Sequence, residues 1–401
     1  MTPRPARNAR SVVYATTIGF SAFTLLRGQL AWLREQGWDV TLVASPDDLA
    51  QAAARREGVA FHPLAMRRDP APVADLAALA AWVRFLAAAR PAVVNVGTPK
   101  AGLLGILAAW LTGVPRRVYL VRGLRLEGAS GPLAAALACA ERLCGLLATD
   151  VVAVSPSLGR ELLRRRLVSP GKLWTIGDGS SNGIDVAAVQ ARIAGVDRDA
   201  LRRELGLRPD DFVVGFVGRV TRDKGIHTLL DAFASAELTP RARLLVVGPT
   251  EEEGFETGFA ALGDRLARVP WTDDVWGHLP ALDVLSLPTL REGFGTVVLE
   301  AAAAGIPAIV TTATGAVDTV VDQETGLLMG VGDAAALVRH INALADDPEG
   351  AGRLGRAARE RARERFAQER IWTGMQDVMT GAGASRVGAP EAARAAVGGA
   401  A

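Results

Sequence analysis

Two doubly wound α/β domains in one chain are predicted by three observations. Short β-rich runs alternate with helical patterns along nearly the whole sequence, and the alternation breaks once, in a turn-rich stretch at 177–183, before restarting. The 401 residues, 49% apolar and 22% charged, suffice for two domains of ordinary size. Such alternation winds a parallel sheet with helices on both faces. Two domains of this kind facing each other are expected to place a cleft at the carboxyl ends of their strands, where open parallel sheets bind ligands.

In the first half, residues 12–15, 38–44, 92–95, 117–121, 151–154 and 172–176 read as strands. Helical patterns lie between them near 24–36, 73–89, 102–111 and 132–147. Arg4, Arg7 and Arg10 before the apolar stretch 11–26 outline a signal peptide. Thr16, Thr17, Gly19 and Ser21 interrupt that stretch and no small-x-small cleavage site precedes Arg27, so a first strand and its loop is the better reading.

An N-terminal domain is expected over 1–178, followed by a hinge and polar connector at 179–210. Strands at 212–217, 243–247, 284–287 and 308–311, with helices near 226–234, 296–304 and 333–345, make a second domain over 211–365. A charged helical run at 348–379 follows, its 366–380 part expected to return to the first domain; 381–401, rich in Gly and Ala, reads as a disordered tail. The longest apolar run, near 101–110, is too short to span a bilayer, so the chain is expected to be soluble or peripheral.

Net charge is only +2, yet residues 1–180 carry +10 and 181–401 carry −8. The basic front half, with Arg67-Arg68, Arg116-Arg117, Arg122, Arg125 and Arg164-Arg165-Arg166, suits phosphate groups or an anionic leaflet, although solvated helix faces give similar runs. Cys139 and Cys144 stand five residues apart on one helical pattern, poor geometry for a disulfide, and the four His are scattered. No metal site and a reducing, cytoplasmic compartment are the expectations.

Phosphate-loop and dinucleotide-binding glycine motifs are absent, which removes the main support for nucleotide hydrolysis and dinucleotide redox chemistry. Gly179-Ser180-Ser181-Asn182-Gly183 matches a nucleophile elbow in letters, but Ser181 lies too far from the preceding strand, and a hinge loop is the better reading. Asp197-Arg198-Asp199 resembles a metal-holding carboxylate pair, against which helix capping by Asp199 is preferred.

Two elements of the second half carry chemistry. Strand 212–217 runs into Gly218-Arg219-Val220-Thr221-Arg222-Asp223-Lys224-Gly225 and then a helix, so Arg219, Lys224 and a helix N-terminus converge where a diphosphate could be held without metal. Glu292-Gly293-Phe294-Gly295-Thr296-Val297-Val298-Leu299-Glu300 places one carboxylate in a loop and another in an apolar helix that gives it no evident partner. Gly293 and Gly295 admit a ligand close to the backbone, and the carboxylates can accept hydroxyl hydrogen bonds from a sugar and a ribose. A solvated turn and a snorkelling Glu are the bland alternatives.

At these residues the sequence resembles the retaining glycosyltransferases of family 4, which adopt the two-domain GT-B architecture. The resemblance covers about residues 11–380 and includes G-R-x-x-x-x-K-G at 218–225, E-x7-E at 292–300 and Asn182-Gly183-Ile184-Asp185 at the domain crossing. It implies that Arg219 and Lys224 bind the donor diphosphate, Glu292 the donor sugar hydroxyls and Glu300 the nucleotide ribose. Gly218, Phe294, Gly295 and Thr296 would line sugar and phosphate, and Thr289 with 272–274 would lie near the base. No cofactor or metal is implied, only a nucleotide diphosphate sugar, UDP-linked in preference.

The front half is similar to the capsular and exopolysaccharide branch, through residues 23–29, 97–102, 121–127 and 179–183. That branch adds sugars to polyprenyl-diphosphate-linked acceptors, which implies transfer of a hexose or N-acetylhexosamine to a lipid-linked or other glycan. It also implies an acceptor side at Thr17, Gly19, Lys100 and Arg122 and a hinge at Asn182, Gly183 and Asp185. Many members carry Gly-Gly after the first strand and a His where this chain has Arg122. Partners are expected to be the donor, the glycan acceptor and an anionic membrane surface, not nucleic acid, with the chain cytoplasmic or peripheral on the inner face of the membrane. A nucleotide-sugar epimerase of the same fold, or a non-catalytic nucleotide or glycan binder, is the alternative reading.

Overall fold

The computed structural model describes residues 8–67, 69 and 71–382. Arg4, Arg7, Arg68 and nearly all of the expected tail, 383–401, lie outside the described residues. The chain forms two compact units, the first from the described residues up to Asn182 and again from Ile371 onward, the second from Gly183–Arg370.

The first unit is a parallel sheet of β1 (Ser11–Ala15), β2 (Asp39–Ala44), β3 (Ala60–Pro63), β4 (Val93–Val96), β5 (Arg116–Val121), β6 (Asp150–Ala153) and β7 (Leu173–Thr175), in the order β3-β2-β1-β4-β5-β6-β7. The second is a parallel sheet of β8 (Phe212–Val217), β9 (Ala242–Val247), β10 (Leu266–Val269), β11 (Val284–Leu287), β12 (Ala308–Thr311) and β13 (Leu327–Met329), in the order β10-β9-β8-β11-β12-β13. In each, strand order reverses beside the first strand, at β1/β4 and β8/β11, which opens a crevice at the carboxyl ends.

Burial on both faces explains the near-continuous apolar strands. Val214, Leu244 and Val246 enter the core under the Ile226–Ala234 and Ala334–Asp346 helices. Their neighbours Val213, Leu245 and Val247 enter the opposite core, under the Thr296–Ala304 helix. The connector helix Arg198–Glu204 is tied to the second unit by Arg202, which is buried and donates to the carbonyls of Ala281, Pro209 and Asp211 and to the Asp283 carboxylate. The Gln368–Thr380 helix packs on the first unit: the Trp372 indole donates to Asn182 Oδ1 at 2.7 Å, and Met375 and Met379 lie against Asn95 and Tyr14.

Several expectations change. The pattern at 24–36 is two helices, Gly19–Leu25 and Gln29–Glu35, because Gly28 turns left-handed at φ 78° and the buried Glu57 carboxylate accepts from the N–H groups of Gly28 and Ala31. The charged run at 348–379 is likewise two helices, Pro348–Arg365 and Gln368–Thr380. Asp197, not Asp199, caps the connector helix, accepting from the N–H groups of Asp199 and Ala200. The longest apolar element is the Pro72–Ala89 helix rather than 101–110. By length and composition it could cross a membrane, yet it packs on the Pro99–Leu111 helix through a face that includes the fully buried Trp82.

The helix expected at 132–147 runs from Gly131–Leu147 and buries only Cys144 and Gly145, leaving Leu133 and Leu146 at 59% and 71% exposure. Val73, Leu76, Trp110 and Leu111, on the two preceding helices, are exposed as well.

Candidate active site

The strand-order reversal of the second unit holds both sequence elements. The loop after β8, Gly218–Gly225, lies against the loop after β11. A β-carbon on Gly225 would stand 1.8 Å from the Pro288 carbonyl oxygen, and φ there is 76°, so only glycine permits this approach. The Leu290 N–H donates to the Asp223 carbonyl, and Arg291 Nη2 meets Asp223 Oδ2 at 2.9 Å. Gly218, at φ 146°, packs under Gly248 from the loop after β9.

Each expected cation of this loop faces a carboxylate. Lys224 Nζ is paired with Glu292 Oε1, joining the two motifs through side chains about one-fifth exposed. Arg219 Nη1 meets Glu251 Oε2 at 2.6 Å, with both side chains about 40% exposed. Nothing in the motifs signals Glu251, because its partnership depends on where the loop after β9 folds.

Gly295 opens the Thr296–Ala304 helix with no side-chain cap; its Cα faces Leu287 so closely that a β-carbon would stand 2.6 Å from Leu287 Cδ2. Thr296 is exposed, while the Phe294 ring is buried beside Phe366. Glu300, one turn inside this helix, is pushed up to about 7 by burial, against which a hydrogen bond from the Trp276 side chain pulls only partly. Trp276 is a second residue that no motif announces.

Thr289, expected near the base, turns its side chain inward. Its side chain is fully buried, and its hydroxyl lies 3.0 Å from the Asp223 carbonyl and 2.8 Å from that of Arg291, so it braces the two loops. At 272–274, Asp274 is paired with Arg192 and caps the Val275–His278 helix.

In the first unit, the β1/β4 reversal brings Thr17 and Thr98 together, their hydroxyls 2.8 Å apart, with the Thr17 N–H donating to Thr98 Oγ1. Ala101 N–H donates in turn to Thr17 Oγ1. Gly19 N–H donates to Asp47 Oδ2, and a β-carbon on Gly19 would overlap that carboxylate at 1.8 Å. Lys100, on the helix that follows β4, is paired with Asp75 at 2.7 Å and donates to the Asp69 carbonyl.

Arg122 follows β5 and lies over Gly97, where a β-carbon would stand 2.9 Å from Nη1. Its Nε and Nη1 are buried with no hydrogen-bond partner, and burial lowers its pKa to about 10, still far above neutrality.

At the boundary, Asn182 donates to the Arg27 carbonyl, Gly183 turns at φ 68° against the Phe366 carbonyl, and Asp185 caps the Val186–Ile193 helix. Among the described residues no cluster of three or more His, Cys, Asp or Glu could hold a metal ion.

Two parallel α/β units, the second carrying paired cations and carboxylates at its strand-order reversal, are the architecture expected of the GT-B class. Residues 197–361 match the model for glycosyl transferases group 1, and residues 24–179 match that for a glycosyl transferase 4-like domain. The chain is 34% identical over 360 residues to the capsular polysaccharide biosynthesis glycosyltransferase CapM of Staphylococcus aureus, covering 88% of this chain and 93% of that protein. It belongs to the group 1 (GT4) glycosyltransferases, the retaining hexosyltransferase class.

The UDP-Gal:α-D-GlcNAc-diphosphoundecaprenol α-1,3-galactosyltransferase of Escherichia coli is 26% identical over 72% of this chain and 75% of its own length. The crystal structure of Anabaena HepE in complex with UDP-glucose is similar in fold, with a TM-score of 0.77 and 20% identity over 92% of this chain and 99% of that one.

Glu300 makes stability fall with pH. Its folded pKa, about 7, lies above the ordinary 4.5, so the folded state holds the extra proton between those values. The folded state then loses stability as pH rises from 4.5 to 7, by on the order of 3 kcal/mol, and the slope levels off above 7. Glu300→Gln is expected to flatten this segment in urea unfolding measured from pH 4.5 to 8; an unchanged slope would place the titrating group elsewhere.

Proposed function

We propose that this glycosyltransferase moves a hexose or N-acetylhexosamine from a nucleotide diphosphate sugar, UDP-linked in preference, to a hydroxyl of a lipid-linked glycan in surface polysaccharide assembly. The observation that carries this reading is the junction of the Gly218–Gly225 loop with the Glu292–Glu300 element, held by Gly225 on Pro288 and by the Lys224–Glu292 pair. In it, Arg219 and Lys224 take the donor diphosphate, the exposed Arg219–Glu251 pair exchanging its carboxylate for phosphate at little cost. Glu292 accepts hydrogen bonds from sugar hydroxyls, Glu300 from the ribose, and the uncapped N-terminus at Gly295 and Thr296 faces phosphate or sugar.

Transfer with retention needs no protein nucleophile if the acceptor attacks from the face the diphosphate leaves. The bond from the anomeric carbon to the phosphate oxygen breaks, the bond to the acceptor oxygen forms, and the acceptor proton passes to the departing diphosphate. Arg219 and Lys224 stabilise the charge growing on that group, and no metal is called for. On the first unit, Thr17, Gly19, Lys100 and Arg122 form the acceptor side, and the substrate class is supported by the names of the Staphylococcus and Escherichia relatives. The chain acts from the cytoplasm, peripheral on an anionic leaflet, through the exposed Val73, Leu76, Trp110, Leu133 and Leu146 and the basic charge of the first half.

A thermal-shift screen against UDP, GDP, ADP and their sugar conjugates, with excess chelator, tests the donor reading. One nucleotide should stabilise the protein by about 2.7 kcal/mol at a hundredfold excess over its Kd. That shift should vanish in Glu300→Ala, and no shift with any nucleotide would count against the reading. Arg219→Ala and Lys224→Ala should each lower turnover by about 10² to 10³ with Tm preserved, and unchanged turnover would remove them from the chemistry. In flotation assays the protein should rise with anionic vesicles at low salt and be released at high salt; absence of association at low salt would contradict the peripheral location.

A further inference from the structure

Beside the acceptor crevice of the first unit lies a cavity of about 420 Å³. One wall is the Pro72–Ala89 helix, which presents Ala74, Ala77, Ala78 and Ala81 at the spacing of a single helical face. The opposite wall is the end of β2 and the chain leaving β3, from Pro63 to Arg67. It adjoins the crevice directly, since the Ser45 hydroxyl in its lining donates to the Thr17 carbonyl at 2.8 Å.

The lining decides what kind of molecule fits. A sugar ring needs several converging donors and acceptors, and few side chains of the cavity supply them. Ser45 Oγ is spent on the Thr17 and Met66 main chain. The His62 ring is stacked on Phe85 with centroids 3.9 Å apart, presenting its flat face to the phenyl ring, and burial lowers its pKa. Apart from Arg67 the remaining side chains, those of Pro, Ala, Leu and Met, are apolar, which favours an apolar chain over a hydrated one. The volume is in the range of about 300 to 1,000 Å³ that holds a small ligand. Arg67, exposed, is the one cation among the described residues of the lining. An apolar chain with one anionic end matches this arrangement.

We propose that this cavity seats the first isoprenoid units of a polyprenyl-diphosphate-linked acceptor, with Arg67 at the diphosphate end. The proposal rests on the lipid-linked acceptor reading given above and adds to it a subsite for the lipid. Chain recognition here gives the enzyme selectivity for the lipid as well as for the glycan. It also leaves the Thr17–Thr98 crevice for the sugar.

Binding of farnesyl diphosphate and of inorganic pyrophosphate to the full chain, measured by calorimetry, separates the chain from the phosphates. Wild type should bind farnesyl diphosphate at least tenfold more tightly than pyrophosphate. Ala77→Trp, at an exposed helix position that lines the cavity, should bring the two within about twofold at unchanged Tm. Ala74→Trp serves as a second obstruction should the first lower Tm. Equal affinities in wild type, or a preference that survives both substitutions, would overturn the subsite. The readout is independent of turnover: a preference abolished by Ala77→Trp in a protein that transfers no sugar to lipid acceptors would keep the subsite and refute the function.

Discussion

The second unit is organised around the approach of Gly225 to the Pro288 carbonyl. A β-carbon there would stand 1.8 Å from that oxygen, so any other residue drives the two loops apart. The junction of the two motif loops hangs on that contact. It brings Asp223 to Arg291 and the Leu290 N–H, Lys224 to Glu292, and the buried Thr289 hydroxyl to the carbonyls of both loops. The sheet supplies the address, the reversal at β8/β11, and the glycine supplies the distance.

The cations so placed are neutralised within the protein, but not equally. Arg219–Glu251 is open to solvent, where such a pair contributes about 0 to 1 kcal/mol, so the diphosphate of the proposed donor would displace Glu251 at little cost. Lys224–Glu292 is half as exposed and costs more to break. A sugar diphosphate can satisfy both members at once, the phosphate taking the ammonium and a sugar hydroxyl the carboxylate. In the donor-binding role proposed for this pair, discrimination between a nucleotide sugar and a bare nucleotide follows from that coupling, since the nucleotide alone would leave Glu292 without its partner.

Much of this was legible in the sequence where one pattern fixed both element and place. Long apolar strands ending in Gly, Arg and Lys announced the β8 loop, and a Glu in a Val-Leu-Ala helix announced Glu300. What stayed hidden depended on neighbours distant in the chain. The edge strands β3, β10 and β13 are three or four residues long and incompletely buried, too short to show a period. The break at Gly28 is set by Glu57, twenty-nine residues away, and Arg219 meets Glu251 only because β9 lies beside β8. Thr289 looked like a ligand contact from its loop position, but only the packed structure shows its hydroxyl turned inward. The Pro72–Ala89 helix shows the limit of composition: the same alanines read as a bilayer span, a packed helix or a cavity wall.

The two units handle charge in opposite ways. In the second unit each motif cation is matched by a carboxylate, so the field seen from a distance is weak. In the first unit Arg122 is held with two buried nitrogens, Nε and Nη1, lacking partners, in a half of the chain whose net charge is +10. Leaving such donors unmatched costs about 1 to 3 kcal/mol each. The cost is borne by a guanidinium that stays charged at neutral pH, since burial lowers its pKa only to about 10. A fixed positive charge of this kind acts beyond contact distance.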